Sequence, residues 1–505
     1  LLVLATLAGC HDHAAAPDAP YVIDAIIDTP VPIDALACIA GTACGSAGLC
    51  LFSSCTTRGV NECVEPVTMG TCTSMNDSDG DGLLDEWELA GYIDLNCNGV
   101  NDGEGVDVQL PGAHVNFPDV YLEIDYMLQA GTGASCTDDS TCQAAVPGEQ
   151  CVAGACTHSH QPKMSSLDAV QTAASRGFYL HYDLVHMDAI LETPVVAFDT
   201  SNAACVGPGA TSFFALKNAH FYSGTGGPTS AFALERRLVY HYAIFGHYAT
   251  CPPDASGLGT YCDTCTGDRG LGVPQPGATG TAEMPGNDFI VSLGGLYFGF
   301  PNSVARPRSD ISEGGTLLHE LGHNLGLGHG VSQTGPHVPS ANGPLYSPIY
   351  FSVMNYNYQT RGVLHAASPG GGTPATSQID FSAVDTCVDL DEAALDESVG
   401  AACGASTDLV VSYFADVGGA AHFASAQTGT AIDWNGDGSI ATASDNLNAN
   451  VSSNSTEVFR SMNDWLNLQY NSRCYQWTLS DGVAPAAATS SHELTSPEIV
   501  RRSSY

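Results

Sequence analysis

Basic side chains are scarce in this chain. Lysine and arginine together number 14, against 54 aspartates and glutamates, for a formal net charge of -40. Only Lys163 and Lys217 are lysines, and the first basic residue is Arg58. Such a surface has little with which to neutralise a phosphate backbone, which excludes nucleic acid as a partner. The surplus of carboxylates suits solubility outside cells and the binding of hard cations. Long apolar runs are missing as well. No stretch reaches the roughly 18 residues that a membrane span needs.

Cysteine, by contrast, is plentiful, with 19 residues. Cys10 closes the apolar run LLVLATLAGC. A short apolar stretch ending in small residues and cysteine resembles the lipobox of a bacterial lipoprotein signal. No initiating Met and no basic segment precede it, so residues 1–10 read as a truncated signal with Cys10 as the lipid attachment point. Setting Cys10 aside leaves 18 cysteines, an even number that fits disulfides in an oxidising compartment. The expected location is the bacterial cell surface or outer membrane, as a lipoprotein, or the medium. Membrane contact is expected only through Cys10, and the chain is expected to be a monomer.

Residues 11–37 are rich in Pro, Ala and Asp and read as a disordered tether. Residues 38–75 form a small cysteine-rich module without zinc-finger spacing. Residues 76–105 are Asp/Asn/Gly-rich. A strand is expected over DVYLEIDYM (119–127), which alternates in β-forming residues. Cys136, Cys142, Cys151 and Cys156 mark a disulfide-stapled insertion over 134–160. Helical periodicity resumes in SLDAVQTAASRG (166–177). FYLHYDLVH (178–186) is a second strand, and ERRLVYHYAIFGHY (235–248) is a helix or a strand. Cys262 and Cys265 form a C-x-x-C pair, read as plain disulfide cysteines in preference to a redox couple. NDFIVSLGG (287–295) is a strand and EGGTLLHELGHNLG (313–326) a helix. Residues 386–480 carry scattered helical signals and an acidic loop, and 481–505 form a loose tail.

The segment HELGHNLGLGHG spans His319 to Gly330. His319 and His323 are four apart and share one face of a helix, so two imidazoles can meet one metal. Gly326 permits the chain to leave the helix abruptly, and His329 can then return as a third nitrogen ligand. Three protein ligands leave one position of a tetrahedral zinc for water, as catalytic sites do. Glu320 adjoins His319 and is the candidate general base, able to take a proton from that water and deliver it to a leaving amine.

This H-E-x-x-H-x-x-G-x-x-H pattern resembles the metzincin clan of zinc endopeptidases, matched by His319, Glu320, His323, Gly326 and His329. YFSVMNY (350–356) is similar to the clan's Met-turn, with Met354 beneath the zinc ligands. Together with PIYFSVMNYNYQ and IDFSAVDTCVDLDEAALDE, it looks like a group of bacterial secreted metzincins that begin with calcium repeats. The resemblance implies a catalytic domain over 106–385 with a twisted mixed sheet and an active-site helix. It also implies an extended polypeptide as substrate. NDFIVSLG corresponds to the sheet-edge strand that pairs with substrate in the clan, or it is an ordinary core strand. Tyr356 matches the tyrosine that some metzincins use as an additional metal ligand and oxyanion donor. Equally, it is a ring packed under the site.

DSDGDGLLDEWE (77–88) places Asp77, Asp79, Asp81, Gly82 and Glu88 at EF-hand loop positions 1, 3, 5, 6 and 12, an oxygen set for structural calcium. DLNCNGVND (94–102) repeats the front half with Asp94, Asn96, Asn98 and Asp102. DWNGDGSI (433–440) offers Asp433, Asn435 and Asp437, with Asp445 as a candidate to close the loop. The expected protein is thus an α+β zinc metalloendopeptidase with disulfide-rich and calcium-loop accessory modules. The rival reading is a catalytically inactive, calcium-dependent surface adhesin on the same scaffold.

Overall fold

The alternation of DVYLEIDYM produces the longest strand among the described residues. In a computed structural model, strand β1 (Asp119–Gln129) runs eleven residues. The structure describes residues 43–44, 48–49 and 77–470, without 96–98, 130–132, 146–148, 153, 193–194, 198–209, 222–229, 248–278, 294–308, 341–342, 368–373, 405–407, 418–419, 443, 446, 448 and 451–456. The signal, the tether, nearly all of the cysteine-rich module, Cys10, Cys262, Cys265 and the tail therefore lie outside the described residues. Described residues 77–121, 230–241 and 470 form one compact unit, and 122–221 with 242–469 form the other.

A mixed sheet of eight strands organises the fold. Besides β1 it contains β2 (Gln150–Val152), β3 (Ala155–Ser159), β4 (Tyr179–Asp183), β5 (Ala189–Leu191), β6 (Tyr240–Phe245), β7 (Gly280–Ala282) and β8 (Asp288–Val291). The order is β7-β8-β6-β1-β3-β2, with β4 and β5 also paired to β1. β6 and β8 are parallel, from Tyr242 opposite Asp288 to Phe245 opposite Val291. Both are buried throughout, as strands covered on two faces must be. β7 runs antiparallel to β8 and ends the sheet among the described residues. The segment NDFIVSLG is therefore an interior core strand and not the sheet edge, because Gly280–Ala282 lies outside it.

Of the two readings of 235–248, the strand is the one that forms, as β6, and only Glu235 and Arg236 belong to a helix. A short helix, Ala231–Arg236, precedes β6. Helix α1 (Met164–Ala174) buries Leu167, Val170, Ala173 and Ala174, one apolar stripe at helical spacing. The insertion is stapled by the disulfides Cys136–Cys151 and Cys142–Cys156. Lys217, one of the two lysines, is buried and lies 2.7 Å from the buried Asp288.

The region 386–469 departs from the helical expectation. Its main element is a hairpin of β9 (Val410–Val417) and β10 (Ala420–Gln427). The only helical turns among its described residues are the 3-10 segments Glu392–Ala394 and Asp464–Leu466. The reason is tertiary. Glu392 and Glu397 are fully buried and accept hydrogen bonds from the backbone amides of Ala449, Glu457, Asn435 and Ala441. Side chains that organise distant loops cannot also decorate a solvated helix face. The region shares one hydrophobic cluster with the 349–363 segment, through Ile349, Phe351, Tyr358, Trp434 and Phe459. The disulfide Cys387–Cys403 lies in the same cluster.

In the other unit, the helix Asp85–Ala90 ends at Gly91 in the left-handed conformation. Tyr92–Ile93 then pairs with Val108–Gln109. Buried Arg236 stacks 4.1 Å above the centre of the Tyr240 ring and binds Glu104 at 2.6 Å.

Candidate active site and cation loops

Helix α2 (Asp310–Asn324) starts at Ser309, whose side chain caps Ser312, with Asp310 and Glu313 in its first turn. Every residue from Ser312 to Asn324 is buried. Glycines cost helical stability, and here close packing explains them. A methyl group at Gly315 would collide with the Gln359 carbonyl, and one at Gly322 with Met354 Sδ. The sulfur of Met354 thus lies directly under the turn that carries His319 and His323.

Gly326 has φ +87°, and beyond it the chain turns back to present His329. The three imidazoles converge. His323 Nε2 is 3.1 Å from His319 Nε2 and 2.9 Å from His329 Nε2. The Nδ1 atoms of His319 and His323 each meet a backbone carbonyl at 2.7 Å, those of Val353 and Leu327. Such contacts fix the tautomer and turn both Nε2 atoms to one point, the usual arrangement of metal-binding histidines. Three ring nitrogens within 4.8 Å of one another, all buried, make a donor set that fits zinc.

Glu320 is fully buried on the same helix. Its carboxylate packs against β7, where any side chain at Gly280 would overlap it. Tyr356 is 3% exposed, and its hydroxyl lies 3.1 Å from His329 Nε2. Its ring also packs on Tyr346, 5.4 Å between centres. The structure therefore brings His319, Glu320, His323, His329, Met354 and Tyr356 together.

The turn that carries Met354 is braced by residues the sequence reading passed over. Asn355 Nδ2 donates to the carbonyls of Ser347 and Tyr350, and Asn357 Nδ2 to those of Tyr346 and Ser412. Buried Asp464 accepts from the Tyr350 hydroxyl and the Ser382 amide. The alternating N-Y-N of this segment was the available signal, since asparagine amides commonly tie turns.

The three acidic loops share one backbone device. The glycine at the sixth position has positive φ in each: Gly82 at +94°, Gly99 at +76° and Gly438 at +84°. Its amide donates to the first aspartate, to Asp77 at 3.0 Å, Asp94 at 2.7 Å and Asp433 at 2.8 Å. In the first loop, Asp77, Asp79 and Asp81 present oxygens within 4.8 Å of one another. Glu88 is buried, and among the described residues neither of its carboxylate oxygens has a hydrogen-bond partner. Burial first, and neighbouring carboxylates second, push Asp81 up to about 9, Glu88 to about 8 and Asp79 to about 6.

In the second loop Asn96 and Asn98 lie outside the described residues. There Asp107, five residues beyond Asp102, accepts from the amides of Leu95 and Asp102. In the third, Asp433 and Asn435 accept from the Asp437 amide, and Asp437 from that of Ser439. Its remote carboxylate is Glu397, while Asp445 pairs by its backbone with Leu395. Asp107 and Glu397 were missed because neither stands in a loop motif. No family model matches the chain, nor does any curated protein or solved structure.

Proposed function

We propose that the chain is a zinc-dependent endopeptidase of the metzincin type, acting on extended extracellular polypeptides. The observation that carries this reading is the convergence of three buried imidazoles beside a buried carboxylate, His319, His323 and His329 next to Glu320. The three histidines would hold the zinc. A zinc ion there supplies Lewis acidity towards water and towards a peptide carbonyl.

The remaining chemistry belongs to the chain's own groups. Glu320 takes the proton of the attacking water and returns it to the leaving amine. Tyr356, with its hydroxyl at His329, is placed to donate to the oxyanion. Among the described residues strand β7 ends the sheet beside Glu320, and an extended substrate would add to it by main-chain hydrogen bonds. Met354 and the asparagine-braced turn support the histidines from below.

Structural calcium in the loops at Asp77, Asp94 and Asp433 belongs to the same proposal. The LAGC run and the cysteine content support export, with Cys10 as the lipid anchor.

The test is hydrolysis of casein and of an unbiased peptide library, with and without a zinc chelator. Cleavage should stop with chelator and resume when zinc is added back. Chelator-insensitive cleavage, or none at all from zinc-loaded protein, defeats the proposal, and the latter result leaves the adhesin reading in its place.

A further inference from the structure

The same sheet carries a second cluster of metal-binding side chains, which the peptidase chemistry does not use. His160 directly follows β3, Glu192 directly follows β5, and His247 lies two residues beyond β6. The backbone places all three around the end of β1. The His160 amide bonds to the Met127 carbonyl at 2.9 Å and the Glu192 amide to the Leu128 carbonyl at 3.2 Å. Gly246, before His247, sits so close to Met127 that a methyl group there would lie 3.3 Å from its sulfur.

We propose that His160, Glu192 and His247 form a second zinc-type site, structural in role, that ties the ends of strands β3, β5 and β6. One ligand atom from each residue lies within 4.8 Å of the others. His160 Nε2 is 3.4 Å and His247 Nδ1 2.9 Å from the same oxygen, Glu192 Oε1. Ligands at zinc-bond lengths of roughly 2.0–2.1 Å around a tetrahedral ion stand about 3.3 Å apart. The two rings meet nearly edge to face, 5.3 Å between centres at 78°, close to the 4.7 Å and 89° of His319 and His323.

The carboxylate also argues for an ion. Two protonated imidazoles beside one carboxylate would satisfy both its oxygens. Here both face Oε1, while buried Oε2 has no hydrogen-bond partner among the described residues. The Glu192 side chain is only 6% exposed. Two neutral nitrogens and one anionic oxygen suit zinc and its neighbours among the divalent transition metals better than calcium.

The experiment is zinc stoichiometry by mass spectrometry on the full chain, kept in millimolar calcium and dialysed against a weak chelator. Wild type should hold two equivalents, His323→Ala one, and His160→Ala/His247→Ala one. In the His323→Ala background, added zinc should still raise the melting temperature of stripped protein. Adding Glu192→Gln should abolish that shift, and this isosteric change guards against a double variant that does not fold. Wild type with one equivalent and His323→Ala with none overturns the second site and leaves the peptidase centre standing. Wild type with one equivalent that His160→Ala/His247→Ala loses overturns the peptidase centre instead. A zinc-induced shift that survives Glu192→Gln removes Glu192 from the site and overturns the proposal.

Discussion

The histidine centre on α2 and the acidic loop at 77–88 both gather metal-binding side chains, and they treat those side chains in opposite ways. At the centre, two of the three imidazoles are already held by backbone carbonyls, through the Nδ1 atoms of His319 and His323. Neutral rings cost little to bury, and the helix fixes their spacing before any ion arrives. In the loop, four carboxylates crowd together, and burial drives three of them well above the ordinary range. Glu88 in particular keeps both oxygens buried without a hydrogen-bond partner among the described residues. On the proposed reading, one cluster is organised for chemistry on a ligand, and the other would be organised by its ligand, because a bound cation, like a proton, relieves the repulsion it contains.

The largest effects should arise at the preorganised centre. Glu320→Ala removes the base and none of the imidazoles. Turnover should fall by about 10²- to 10⁴-fold while zinc content stays at the wild-type value. His323→Ala should lose turnover and one equivalent of zinc together. An active Glu320→Ala protein, measured on the same peptide, removes the base from the mechanism.

Tyr356→Phe comes next. The hydroxyl stands 3.1 Å from His329 Nε2, while the ring packs on Tyr346 in either variant. Losing an oxyanion donor should lower kcat by about 10- to 1,000-fold and leave KM nearly unchanged. Full activity in the Phe variant would return Tyr356 to a packing role.

The loop should respond in stability before activity. Withdrawing calcium while zinc is held constant should lower the melting temperature. A ligand at 100 times its Kd contributes about 2.7 kcal/mol, worth several degrees in a unit of this size. Glu88→Gln should weaken that response. Equal melting temperatures at zero and saturating calcium would break the contrast drawn between the two clusters.

How much of this was legible in the sequence follows from the range of the forces involved. The histidine motif is local: four residues of helix, one glycine turn and His329 are all within a dozen positions, so spacing alone specifies their geometry. The same holds for Asp77, Asp79, Asp81 and Glu88. The strand at 119–127 and the helix at 166–177 were also legible, because one periodicity governs each. What failed depended on partners far along the chain. NDFIVSLG has the same composition as an interior or an edge strand, and only the pairing of Gly280–Ala282 decides between them. The scattered helical signals of 386–480 did not show that Glu392 and Glu397 bond amides 38 to 65 residues away. The His160, Glu192 and His247 cluster had no spacing to detect, since three separate strands deliver it.

Asp464 offers the finest test of the comparison, because it is a buried carboxylate like those of the loop but satisfied by protein donors. It is fully buried, accepting from the Tyr350 hydroxyl at 2.7 Å and the Ser382 amide at 2.8 Å. Burial raises its pKa most, hydrogen bonds from Ser352, Tyr350 and Ser382 pull it down, and Asp380 adds to the rise, leaving it at about 7. In the unfolded chain this carboxyl ionises near 4, while in the folded protein it keeps its proton to about 7. The folded state therefore binds the extra proton between these values. Its contribution to stability is fully present below about pH 4, declines as pH rises towards 7, and is flat above. Asp464→Asn cannot titrate. Its amide would face the Ser382 N–H, which costs stability by an amount that does not vary with pH. The melting temperature of the variant minus that of wild type should therefore become less negative, by a few degrees, from pH 5 to pH 8. Saturating calcium and zinc in both samples cancel the pH dependence of metal binding. A difference that stays constant across that range would mean that Asp464 is ionised in the fold throughout, with its protein donors fully offsetting its burial.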